Sequence, residues 1–126
     1  MLVATICSIS LDLQYVGVGL SLSNSLAGLA HCTLPNGKIS KAVRHKTVTE
    51  FWHIISGSGQ IWRRQGNHQS ITPLDAGITI DISLGTDFQY RSTGADLIFI
   101  CFTIPPWPGA DEVSYVDEGA WTPTAP

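Results

Sequence analysis

Apolar and polar residues alternate along most of this chain, and glycine or asparagine breaks the alternation at short intervals. A period of two puts successive side chains on opposite faces of a strand, and no segment keeps a helical period for long. The predicted strands are Ala4–Leu11, Gly17–Ser23, Leu29–Leu34, Lys41–Arg44, Glu50–Ile55, Gly59–Arg64, His68–Thr72, Gly77–Ile82, Asp87–Ser92 and Ala95–Thr103. Between them lie turns such as Pro35-Asn36-Gly37, Gln65-Gly66-Asn67 and Leu84-Gly85-Thr86, each with a residue able to take positive φ. Short strands at this spacing predict an all-β sandwich or barrel.

A length of 126 residues suits one domain, read here as N-terminal strands over 1–28, a barrel over 29–104 and a tail over 105–126. The tail holds Pro105, Pro106, Pro108, Pro123 and Pro126 with Trp107 and Trp121. Proline cannot donate to a sheet ladder, so the tail is expected to wrap the barrel as irregular chain, its tryptophans covering apolar wall. Asp111, Glu112, Asp117 and Glu118 read as a solvating acidic patch.

Composition narrows the function classes. Hydrophobic residues make up 44% and charged residues 13%, the balance of a globular chain rather than a disordered one. A net charge of -3 and 7 scattered basic residues leave no electrostatic footprint for nucleic acid or an anionic membrane. No uninterrupted apolar run is long enough to predict a membrane span. Leu2 to Ala30 is markedly apolar, but the first basic residue is Lys38, so the run lacks the positive start of a signal peptide and reads as strands. Cys7, Cys32 and Cys101 lie in apolar stretches without CxxC spacing, as buried hydrophobes do. A reducing cytoplasm is the expected compartment.

Two stretches carry the chemistry. Between Gly37 and Gly57 the chain reads GKISKAVRHKTVTEFWHIISG, and between Gly77 and Ser92 it reads GITIDISLGTDFQYRS. The first resembles the first cupin motif, laid without a gap on Gly37, Val43, His45, Glu50 and Gly57. The second is similar to the second cupin motif, on Gly77, Ser83, Gly85, Phe88 and Ser92. The resemblance implies a double-stranded β-helix, or jelly-roll barrel. In the family, two histidines and a glutamate of the first motif, with a histidine of the second, hold a divalent metal such as iron, manganese, nickel or zinc.

Here Val43 and Phe88 stand at two of those four positions, and His45 and Glu50 remain. Asp87, turned inward by a bulge, and His31 are the candidates to complete a metal set. Without a metal, His45 and Glu50 can form a hydrogen-bonded polar pair, or a general acid and base. Strand alternation groups Glu50 with Trp52 and points His53 away, and it groups Gln60 with Trp62 and Arg64. Trp52, Gln60, Trp62, Phe88 and Tyr90 are the candidate pocket lining for a small-molecule ligand.

The resemblance implies a small-molecule-binding barrel. It is either a metal-assisted or acid–base enzyme of isomerase, oxygenase or decarboxylase type, or a non-catalytic binding or sensor module. Cupins commonly pair, so a homodimer is expected, with the apolar start from Leu2 to Leu22 at the interface.

Overall fold

The computed structural model describes residues 3–5 and 17–124. The strands are β1 (Val3–Thr5), β2 (Gly17–Ser23), β3 (Gly28–Leu34), β4 (Val43–His45), β5 (Thr49–Ser56), β6 (Ser58–Gln65), β7 (His68–Asp75), β8 (Thr79–Ile82), β9 (Asp87–Ser92), β10 (Leu97–Ile104) and β11 (Val113–Tyr115). They form two antiparallel sheets, a six-stranded sheet A in the order β1-β2-β3-β10-β5-β8 and a five-stranded sheet B in the order β11-β4-β9-β6-β7. Among the described residues no helix is long and apolar enough to cross a membrane. Cys7 and most of the predicted strand Ala4–Leu11 lie outside the described residues.

Alternation decides which side chains meet. On sheet A, β3 turns Ala30, Cys32 and Leu34 inward, β10 turns Leu97, Phe99 and Cys101, and β5 turns Trp52 and Ile54. Sheet B answers with Val43, Ile61, Leu74, Phe88, Tyr90 and Val113, and the two sets pack as one core. Each Val, Leu, Ile or Phe side chain so withdrawn from water contributes roughly 1.5–3 kcal/mol before chain entropy is set against it.

The β5–β6 turn shows why the first motif needs its second glycine. Gly57 has φ of 88°, and a Cβ there would sit 1.9 Å from the Asp96 carbonyl oxygen. Any side chain would push this turn, where the chain passes from sheet A to sheet B, off the β9–β10 turn.

The tail departs from expectation. Val113–Tyr115 pairs antiparallel with β4, Val113 opposite His45, and so adds a strand to the edge of sheet B. The prolines fall outside these residues, which leaves the backbone donors intact. Glu112 is buried rather than part of a solvated patch. Its Oε2 accepts hydrogen bonds from the backbone of Thr47 and Val48 at 2.7 and 2.8 Å, tying the tail to the β4–β5 turn. Burial alone would raise the Glu112 pKa. Bonds from the Thr47 hydroxyl and the two amides, with His45 nearby, outweigh it and hold the carboxyl below its usual range.

Candidate functional site

Alternation on β4 and β5 sends His45 and Glu50 into the barrel, where the two side chains are 2% and 4% exposed. His45 Nδ1 lies 2.7 Å from Glu50 Oε2, an ion-pair distance reached off the line of an ideal hydrogen bond. The other carboxylate oxygen, Oε1, accepts from Trp52 Nε1 at 2.8 Å and from the Cys101 thiol at 2.7 Å. Burial, then the charge of Glu50, push the Cys101 thiol well above its usual pKa, which keeps it a donor. Both oxygens of Glu50 are therefore engaged.

His45 is not. Its Nε2 is buried and has no hydrogen-bond partner among the described residues. Aromatic edges flank the ring, Phe88 at 5.1 Å and Trp107 at 5.2 Å between centroids. The proton of a neutral imidazole belongs on Nδ1, facing the carboxylate, which leaves a lone pair on Nε2. An imidazole held this way can accept a proton at Nε2, and the Glu50 charge stabilises the imidazolium that results.

The remaining candidates separate. Trp52, Phe88 and Tyr90 do come together, but as filling rather than lining. Trp52 stacks on Phe99 at 4.1 Å and meets Tyr90 edge-on at 4.8 Å, and all four rings are at most 2% exposed. The Tyr90 hydroxyl is also buried and has no hydrogen-bond partner among the described residues, and desolvation pushes its pKa well up. Gln60 and Trp62 lie on the opposite, outer face of sheet B, because it is Ile61 between them that turns inward. There Gln60 accepts from Arg91, and Trp62 donates to Gln69 at 2.9 Å beneath the Arg64 guanidinium.

Asp87 is on that outer face too. No bulge turns it inward: Arg44 opposes Asp87, and Val43 opposes Phe88, in regular register. Arg44 Nε reaches one Asp87 oxygen at 2.6 Å and Arg64 reaches the other at 2.9 Å. Desolvation would raise the Asp87 pKa, but the bonds and charges of the two guanidiniums outweigh it and hold the carboxyl below its usual range. His31 is half-buried on the outer face of sheet A, since Ala30 and Cys32 beside it take the inner positions. His53 also points outward, to Thr79 Oγ1 at 2.8 Å.

These placements test the fit of a divalent metal. Val43 and Phe88 supply no donor, Asp87 and His31 face away, and both oxygens of Glu50 are engaged inside the protein. No group of three or more His, Cys, Asp or Glu is arranged to hold a metal among the described residues. One open imidazole nitrogen falls short of the three or four ligands such sites use, so the residues do not fit a resident metal ion.

Reading the chain alone missed Cys101 as a donor to Glu50, Trp107 as the cover of His45, and Glu112 as the clasp of the β4–β5 turn. For Cys101 the signal was its alternation phase within Leu97–Ile104. Its cross-strand partner Trp52, however, is set by a register that no local pattern states. A cleft of about 890 Å³ also escaped notice. It lies outside sheet B under the tail, between Lys41, Gln89, Tyr115 and Trp121.

No sequence-family profile matches the chain, and no curated protein matches it either. Solved structures do. An uncharacterised conserved protein with a double-stranded β-helix domain from Klebsiella pneumoniae aligns at 19% identity and a TM-score of 0.65, over 90% of this chain and 97% of that one. Oxalate decarboxylase from Bacillus subtilis aligns at 14% identity and 0.68, over 79% of this chain and 28% of the decarboxylase. Vicilin from tomato (Solanum lycopersicum) aligns at 12% and 0.69, over 82% and 30%. The chain thus spans less than a third of the decarboxylase and of vicilin. At these identities the likeness establishes the double-stranded β-helix and leaves activity open.

Proposed function

We propose that this chain, a barrel with the cupin fold, binds a small molecule beside His45 and exchanges a proton with it at Nε2, as an isomerase-type acid–base catalyst that needs no metal. The observation that carries the reading is a buried imidazole with one nitrogen oriented by a carboxylate and the other left open. A buried nitrogen without a partner costs roughly 1–3 kcal/mol, and a ligand donor or an acidic proton would relieve that cost. Oxygenase and decarboxylase chemistry draw no support from the donor set.

The test is a ligand-observed NMR screen of small carbonyl and hydroxyl compounds in D2O, with wild type and His45→Ala side by side. Hits that bind wild type alone and gain deuterium at an acidic carbon would support the reading. Equal binding to both proteins would sink it.

A non-catalytic binding or sensor module is the second reading. The ring stack of Trp52, Phe88, Tyr90 and Phe99 favours it, since it fills the barrel beside the pair. Binding to wild type without deuterium incorporation would select it.

The reading also places the chain in a reducing cytoplasm, with Cys32 and Cys101 buried in the core, and makes it a homodimer. Supporting the dimer, β1 forms an edge of sheet A, and the outer face of that sheet bares Phe51, Ile55, Phe102 and Ile104. Light scattering at micromolar concentration is expected to give twice the chain mass, and a clean monomer would refute it.

A further inference from the structure

We propose that Trp107 is the gate of the His45 site: its indole screens His45 from solvent, and a ligand reaches Nε2 only after the strap 105–109 swings outward. The proposal rests on reading His45 as the reactive centre of the barrel, and it concerns how that centre is reached.

Three observations carry it. The first is the order of layers around the imidazole. Of its two aromatic neighbours, Phe88 belongs to the sealed interior, whereas Trp107 packs on the core while half-exposed. Trp107 is thus the layer between His45 and water.

The second is how the strap is attached. It reads Pro105-Pro106-Trp107-Pro108-Gly109, and three of its five residues have no N–H to give a neighbouring strand. Its two ends are anchored, by Ile104 paired with Thr49 on one side and by the Glu112 bonds to Thr47 and Val48 on the other. Between them the Gly109 carbonyl accepts from the Glu112 amide at 3.1 Å, inside the C-terminal anchor, and the strap ahead of it passes over the backbone of Gly28. A Cβ at Gly28 would stand 3.7 Å from Pro106 Cα and from the Trp107 nitrogen, so these two segments lie in close approach. The strap can lift while the sheet hydrogen bonds on either side stay closed.

The third is the open Nε2. The closed state leaves a buried polar atom without a partner, which the open state would hydrate. That cost narrows the gap between two arrangements of one short segment, the condition for a minor open population.

The experiment is carbethoxylation of the full chain by diethyl pyrocarbonate, followed residue by residue by peptide mass spectrometry. The other three histidines are internal controls, because His31 and His53 lie on the outer face of sheet A and His68 at the exposed start of β7. With an open population of about one tenth or less in wild type, Trp107→Ala should raise the His45 rate about tenfold or more and leave the controls unchanged. Trp107→Phe keeps a smaller ring over the site and should give a smaller, still selective rise.

An unchanged His45 rate in either folded variant overturns the proposal. So does an equal rise at all four histidines, which would mark a loosened barrel. The reagent needs no bound ligand, so the outcomes separate cleanly. A selective rise in a protein that binds nothing in the NMR screen keeps the gate and removes the proposed function.

Discussion

Glu50 and Asp87 are equally removed from water, at 3% and 4% exposed, and they do opposite work. Arg44 and His45 are neighbours in the chain, as are Asp87 and Phe88, yet the wall of sheet B divides each couple. On the outer side Asp87 is gripped by guanidiniums that are 52% and 27% exposed. On the inner side Glu50 faces an imidazole that is 2% exposed, an indole N–H and a thiol. The lesson is that burial of a carboxylate says little until the exposure of its partners is known. Outer partners regain water if the contact breaks, so Asp87 is a clamp. Inner partners cannot while the barrel is closed, so what the inner group leaves unpaired is held ready for a ligand.

The harshest way to break this contrast is to remove the inner carboxylate. Glu50→Ala strands His45 Nδ1, the Trp52 indole and the Cys101 thiol together, and about 3–5 kcal/mol of unfolding free energy should be lost in urea titrations. A loss no larger than that of Asp87→Ala would show that the two carboxylates are equivalent after all. Asp87→Ala should cost clearly less, because Arg44 and Arg64 turn back to solvent.

A milder test uses acid. The folded pKa of Asp87 lies below its ordinary 3.8, and that of Glu112 below 4.5, so each carboxylate adds stability that is complete above those values and fades as pH falls through the lower folded ones. Stability measured from pH 6 downward should drop near and below about pH 4, and Asp87→Asn should flatten that drop. An unaltered pH profile in Asp87→Asn would remove the clamp.

Function should divide along the same line with less effect on stability. His45→Ala is expected to abolish the binding seen in the NMR screen, whereas Arg44→Ala, one residue away, should bind like wild type. Equal losses in both variants would place the ligand elsewhere, the cleft under the tail being the first alternative. The smallest expected signal is in the metal content. Elemental analysis of purified protein should find no stoichiometric divalent metal, and none that His45→Ala removes. A full equivalent lost on that substitution would overturn the metal-free reading.

Much of this was legible in the residues themselves. Turn glycines such as Gly57 and Gly77 announced where one strand gives way to the next, and the alternation of Glu50, Trp52 and Ile54 announced an inward face on β5. The resemblance of the stretch from Gly37 to Gly57 to the first cupin motif pointed to His45 and Glu50, which the fold brings within 2.7 Å. What could not be read was the phase of one strand against another. Gln60, Trp62 and Arg64 do share a face, but which face depends on pairing Ile61 with Tyr90, a contact between distant parts of the chain. Asp87 illustrates the same limit: its inward turn required a bulge, and the regular pairing of Arg44 with Asp87 forbids one.

By itself, the order of residues determined a β-rich chain, where it turns, and which side chains travel together on a strand, because these follow from backbone sterics and a period of two. Only the tertiary structure decided which of those sets faces inward, that Cys101 rather than Asp87 joins Glu50, and that Trp107 comes to rest against His45. These outcomes depend on register and on a tail folding back across the barrel, and both are settled by the packing of segments far apart in the chain.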